Sequence, residues 1–286
     1  MYTTDSIIYR SDYDILSRRS PIPEYVPSHL LYPTTQSTTI LFIVEYAMEA
    51  ISHAGTVLGV LAKDGVVLVA EKRVTGKLLD LSSAKEGGGG YGGSGEKMFL
   101  INSNVIGGVA GITSDANSLV NYARSVAQRY LLQYNQDIPV EQLAQRLCDM
   151  KQGYTQYGGL RPFGVSILYA GYDPHYRFQL YHSDPSGNYS GWKATCIGAN
   201  NGTAQSLLKQ EYKDDMGIDE AIKLVLKVMS RTMDSTTLGS EKLEIAVLTY
   251  DEAAKKPKAK IYKPIEIDGL LLMHEMSKKT EEAMKS

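Results

Sequence analysis

Apolar and polar positions change period several times along the chain, and each change marks an element. Val44, Ala47, Met48 and Ile51 fall at i, i+3, i+4 and i+7, which predicts a short helix over 44–52 with one apolar face. Two strands follow at 56–62 and 65–71, with Asp64-Gly65 as the hairpin signal between them. In the second strand Val66, Val67, Leu68 and Val69 run without alternation, so it is expected to be buried on both faces. Strands at 97–100 and 105–109 flank Ser103-Asn104. A helix over 114–134 then puts Leu119, Ala123, Val126, Ala127, Tyr130 and Leu131 on one side, with Ser114 or Asp115 as its cap. The next helix opens at Pro139, turns Leu143, Leu147, Met150 and Tyr154 inward, and stops near Gly158-Gly159.

The same order then repeats. Strands are expected at 163–170, 176–182 and 192–198, with turns at Asp173-Pro174 and Pro185-Ser186-Gly187. Helices follow at 201–213 and 218–234, the latter facing Ala221, Ile222, Val225, Val228 and Met229 to a core. Strands at 243–249 and 259–263 precede a helical tail from Pro264. Short strands joined as hairpins make antiparallel sheets, and a strand buried on both faces needs cover on both. Two sheets packed face to face, each with a helix pair outside, meet that demand. The expectation is an α+β chain built as a four-layer αββα sandwich: one domain over 44–265, then a charged tail over 266–286. Residues 1–43 hold Pro21, Pro23, Pro27 and Pro33 and no apolar period, which predicts an irregular or mobile extension. The run EGGGGYGGSG at 86–95 predicts an exposed glycine loop.

Composition narrows the chemistry. A net charge of −2 gives no electrostatic footprint for nucleic acid; the one basic run lies between Lys255 and Lys260. No apolar run reaches ~18 residues, so no membrane span is expected. Cys148 and Cys196 read as free, buried thiols, as in a reducing compartment. His53, His175 and His182 share no ligand spacing with them, so neither a metal nor a cofactor is expected. Lys97 follows the glycine loop, but Glu96 precedes it and Met98 stands where a phosphate loop needs a hydroxyl, which excludes a phosphate cradle. Arg161-Pro162, before a strand, reads as a turn-fixing or interface pair, and Asp184 to Gly187 as a turn.

Seven segments carry a resemblance: VEYAMEA at 44–50, HAGT at 53–56, AGITSDAN at 110–117, AQRYLLQY at 127–134, DMKQGYTQYGGLRPFGVS at 149–166, SDPSGNYSGWKATCIG at 183–198 and YKDD at 212–215. Together and in order they resemble the proteasome α-type subunits, over about residues 44–265. That family has the sandwich fold of the N-terminal-nucleophile hydrolases. Its members build seven-membered rings that cap the β rings of a hollow cylinder, where the β subunits hold the protease sites. The resemblance implies a non-catalytic ring subunit of the 20S proteasome. Such a subunit shapes the antechamber, gates substrate entry and docks regulatory particles in ubiquitin-dependent degradation, in cytoplasm and nucleus. Its implied partners are neighbouring α subunits, β-ring subunits and the C-terminal tails of regulatory ATPases or activators. The departure is at the front: members carry a stretch like SPxGRLxQ before VEYA, and here residues 38–43 read TTILFI.

Thr56 is the residue that separates the readings. In an active member of the fold, a threonine exposed by cleavage after glycine uses its own amine as base. Gly55-Thr56 supplies the dipeptide, but a helix closely precedes it, so Thr56 is expected to be an ordinary strand residue, with Glu71 and Lys72 in charge pairing. Active threonine protease and free adaptor outside the particle are the two competing readings. The family pattern also implies that Lys97, with Gly55 and Ile112, lines a pocket between adjacent α subunits for the carboxylate of a tail. A lysine suits that task as a mobile point cation.

Overall fold

The computed structural model describes residues 42–73, 97–156, 160–233 and 238–273. The expectations for the extension up to residue 41, the glycine loop 86–95, the helix stop at Gly158-Gly159 and the tail beyond 273 lie outside the described residues. Helix α1 spans 42–52. Strands β1 (Val57–Ala62), β2 (Gly65–Glu71), β3 (Met98–Asn102) and β4 (Val105–Gly111) precede helices α2 (Thr113–Tyr134) and α3 (Val140–Gln156). Then come β5 (Val165–Asp173), β6 (Arg177–Ser183), β7 (Tyr189–Gly191), β8 (Ala194–Ile197), α4 (Asn201–Glu211), α5 (Ile218–Thr232), β9 (Leu243–Asp251) and β10 (Lys256–Ile261). Helix α6 covers 264–273. Among the described residues no helix is long and apolar enough to cross a membrane.

The strands form two five-stranded sheets, ordered β10-β9-β2-β1-β8 and β3-β4-β5-β6-β7. Every pairing is antiparallel. Three apolar layers alternate with them. Between the sheets lie Val66, Leu68 and Ala70 of β2 against Ile106, Leu168, Ala170 and Leu180. The other face of β2, Val67 and Val69, packs on Leu226, Val225 and Met229 of α5. On the far side, Val165, Ile167 and Tyr169 of β5 meet Leu119, Ala123, Leu143 and Leu147 of α2 and α3. The unalternating Val66–Val69 run is thus explained: its two faces serve two different cores. The four-layer αββα sandwich is the observed fold. Helix α6 adds to the α4–α5 side, where Ile267 and Leu271 are buried.

Four local expectations are corrected. Residues 192–198 do not form one strand: the chain crosses between the sheets there. Trp192 N donates to Leu180 O of one sheet at 2.8 Å and Lys193 O accepts from Leu61 N of the other at 2.7 Å. The hairpin loop is Lys63-Asp64, since Gly65 already pairs with Ala62. Asp64 serves elsewhere: its Oδ1 accepts from Ile218 N at 2.9 Å and caps α5, whose own cap residue, Gly217, has no side chain to offer. Neither Ser114 nor Asp115 caps α2; Ile112 takes the cap position without a side-chain bond. Met48, expected on the buried face of α1, is 39% exposed, whereas Val44 and Ile51 are buried.

Candidate functional site

Thr56 stands at the entry to β1 and is 1% exposed. Its Oγ1 donates to Ala199 O at 2.9 Å, and its N–H donates to Glu71 Oε2 at 3.0 Å. The hydroxyl is therefore bound to a carbonyl, not to a base. The nitrogen lies in the peptide bond from Gly55, so its lone pair is delocalised and cannot take a proton from the hydroxyl. The segment before Thr56 is also clamped. Ala199 N donates to Ala54 O at 2.8 Å, and Gly198, at φ +86°, packs so closely that a Cβ there would lie 2.7 Å from Gly55 O. A carboxylate and a threonine meet here, but the carboxylate accepts from the threonine amide, and the hydroxyl faces a carbonyl where a base would have to stand.

Gly55 and Lys97, 42 positions apart in sequence, do meet. Lys97 Nζ is buried and lies 1.9 Å from where a Cβ on Gly55 would stand. Only glycine leaves that volume to the ammonium. The Lys97 backbone is fixed from both sides. Its carbonyl accepts from Val109 N at 3.0 Å, and its N–H donates to Glu244 Oε2 at 3.1 Å, an oxygen that also takes Met98 N at 3.2 Å. Lys72 Nζ approaches Glu244 Oε1 at 3.9 Å, and Arg73 Nε approaches Glu71 Oε2 at 3.4 Å, which is the charge pairing expected around Glu71 and Lys72. Ile112 sits three residues beyond Val109, just past the end of β4, and is 44% exposed. Its close packing is with Gly164, where a Cβ would come within 2.7 Å of Ile112 Cδ1.

Two polar clusters near these elements go beyond the sequence reading. Beside Ile112, Asp115 accepts two bonds from Arg161, at 2.6 and 2.7 Å, and a third from Gly164 N at 3.0 Å. The Arg161 bonds hold its carboxyl below the usual range, against the opposing effect of burial. Arg161 is thus a turn-fixing residue, one half of the expected alternative. Inside α3, Lys151 is fully buried and donates to Val165 O at 3.1 Å and Ser183 Oγ at 2.9 Å. Ser183 Oγ also lies 3.0 Å from Tyr169 OH. Burial pulls Lys151 down to about 8 and pushes the neighbouring Cys148 thiol up to about 11. Its signal was available: Lys151 follows Leu147 by four residues, on the stripe that faces the core. Cys148 and Cys196 are both free and buried.

Comparison with known proteins gives one consistent answer. The family model described as proteasome subunit matches residues 51–248. The chain is 57% identical over 234 residues to proteasome subunit alpha type-4-A of Arabidopsis thaliana, covering 82% of this chain and 89% of that one. It is 58% identical over 231 residues to proteasome subunit alpha type-4 of Spinacia oleracea, covering 81% and 88%. With the probable proteasome subunit alpha type-3 of Schizosaccharomyces pombe it shares 52% over 231 residues, covering 81% and 89%.

Proposed function

The chain belongs to the proteasome subunit family, and on that premise we propose that Gly55, Lys97 and Ile112 form a receptor for the C-terminal carboxylates of regulatory ATPases or activators. The chain itself is a non-catalytic α-type subunit of the 20S core particle, assembled with neighbouring subunits. The state of Thr56 agrees with that role, since its nitrogen is an amide and its hydroxyl a donor to Ala199 O. Thr56→Ala in the assembled particle is expected to leave peptide hydrolysis at the wild-type rate; lost activity with normal assembly would overturn the non-catalytic assignment. The large exposed apolar side chains, among them Tyr46 at 68% and Leu132 at 88%, suit a subunit whose faces are covered by others. The cytoplasm and the nucleus are the compartments that the resemblance implies for such a particle.

One observation carries the pocket reading: the Lys97 ammonium rests in the space that the missing Cβ of Gly55 leaves open. A cation on a flexible stem, with its backbone pinned, can turn to a chain terminus without moving the strand that holds it. Lys97→Ala removes the charge and little packing. A hydrogen bond to a charged partner is worth about 1.5–3 kcal/mol, so tail-peptide binding at this pocket is expected to weaken roughly tenfold or more. The measurement is affinity of an isolated tail peptide for intact particles, because multivalent docking of a whole regulator masks the loss of one contact. Equal affinity for variant and wild type, with the peptide crosslinked at this pocket, would exclude the role.

A further inference from the structure

The basic run from Lys255 to Lys260 takes a definite geometry in the fold. Strand β10 is the outer strand of its sheet: β9 pairs with it on one side, and among the described residues no strand pairs with it on the other. Tyr262 N donates to Ile245 O at 2.9 Å, and the register sets Lys260 against Val247, Lys258 against Thr249 and Lys256 against Asp251. Backbone groups point to alternate sides along an antiparallel strand. Lys256, Lys258 and Lys260 therefore turn theirs to β9, whereas Pro257, Ala259 and Ile261 turn theirs to the open edge. That edge offers the N–H groups of Ala259 and Ile261 and the carbonyls of all three. Side chains alternate as well. Lys256, Lys258 and Lys260 are exposed on one face, while Ala259 and Ile261 pack against the layer between the sheets.

The lysine row is only partly neutralised. Lys260 pairs with Glu266 at 2.7 Å. Among the described residues Lys256 and Lys258 have no ion pair; Asp251, opposite Lys256, turns its Oδ1 to Ala253 N and Ala254 N at 3.0 and 3.1 Å. Such an edge resists pairing with a second copy of itself, where lysine would face lysine. The same row favours a strand of opposite sign. We propose that the open edge of β10 docks an extended acidic segment of a partner protein, which joins the five-stranded sheet as an antiparallel outer strand. Acidic side chains at every second position lie opposite Lys256, Lys258 and Lys260, and small or β-branched ones between them lie beside Pro257, Ala259 and Ile261. Backbone bonds hold the segment, and the lysine row selects its charge and register. Pro257 lacks a donor but keeps its carbonyl, so the incoming strand still bonds there through its own N–H.

The probe is a capped peptide containing Glu-Val-Glu-Val-Glu and a photo-crosslinking group. Its twin carries the same residues reordered as Glu-Glu-Glu-Val-Val, which keeps the charge and loses the alternation. The experiment uses intact particles with their protease sites blocked by inhibitor. The alternating peptide is expected to crosslink to residues 256–261 and to bind about tenfold more tightly than its twin. Lys256→Gln with Lys258→Gln is expected to weaken it about fivefold and to flatten its salt dependence. Ala259→Pro removes an N–H that points away from β9, so the ladder stays whole while binding falls about fivefold. Should the Ala259→Pro particles fail to assemble, methylation of the peptide's own backbone decides, on the wild type. N-methyl groups on the valines, whose N–H groups face β10, are expected to abolish binding; on the glutamates, whose N–H groups face away, they are expected to leave it. Equal binding of the reordered twin, or equal loss from both methylated peptides, overturns strand addition and leaves a basic patch only. Absence of crosslinks to 256–261 overturns the site, since a neighbouring subunit then covers that edge.

Discussion

Asp115→Ala is expected to destabilise the recombinant chain by about 2–3 kcal/mol, read as a lower urea midpoint at unchanged slope. Asp115 is 7% exposed and accepts from Arg161 twice and from Gly164 N once. Its removal frees three donors at one corner. There Gly111, at φ +134°, packs so tightly that a Cβ would lie 2.1 Å from Gly164 O, leaving the chain no slack to re-pair them. The figure stays below that of a fully buried pair because Arg161 is 63% exposed and water can solvate it once released. The acid limb gives a second reading. The Asp115 carboxyl is held below its ordinary value, so its contribution is present above that value and fades as pH falls through the folded one. Asp115→Asn is therefore expected to flatten the acid limb below about pH 4 relative to wild type. An unchanged midpoint in Asp115→Ala would show that the three bonds to Asp115 add nothing to stability.

The frame was legible because it rests on period. Val66–Val69 announced a strand with two buried faces, and the stripe from Leu143 to Leu147 announced a helix over a sheet; packing then left one arrangement of layers. What failed was where several groups compete for one partner. Asp115 has the residue type and position of a cap, yet Arg161, 46 positions away, binds it more strongly than a helix N–H can. The 192–198 run has strand composition throughout, but its first residue pairs with one sheet and its second with the other, a choice fixed by tertiary contact. The site was half legible. Gly55, Lys97 and Ile112 came from family resemblance, not from spacing.

Lys151 has the largest expected effect. Truncation to alanine removes a fully buried stem and leaves Val165 O and Ser183 Oγ without their donor, so a loss of about 3–4 kcal/mol is expected. Lys151→Met separates charge from volume. In the folded chain the ammonium titrates at about 8, against an ordinary value of 10.5. Between these the unfolded chain keeps a proton that the folded chain has shed, so the wild type gains stability as pH rises through that window. Methionine has nothing to titrate. The stability of wild type minus that of Lys151→Met is therefore expected to rise by up to about 3 kcal/mol from pH 7 to pH 10.5. Cys148, pushed up to about 11, and Tyr169, raised by burial, act in the opposite direction, since both ionise first in the unfolded chain. They are present in both proteins, which is why the difference, not either curve, is the readout. A difference that stays flat across that range would mean that Lys151 keeps its ordinary titration, and that water reaches the ammonium between α3 and β5.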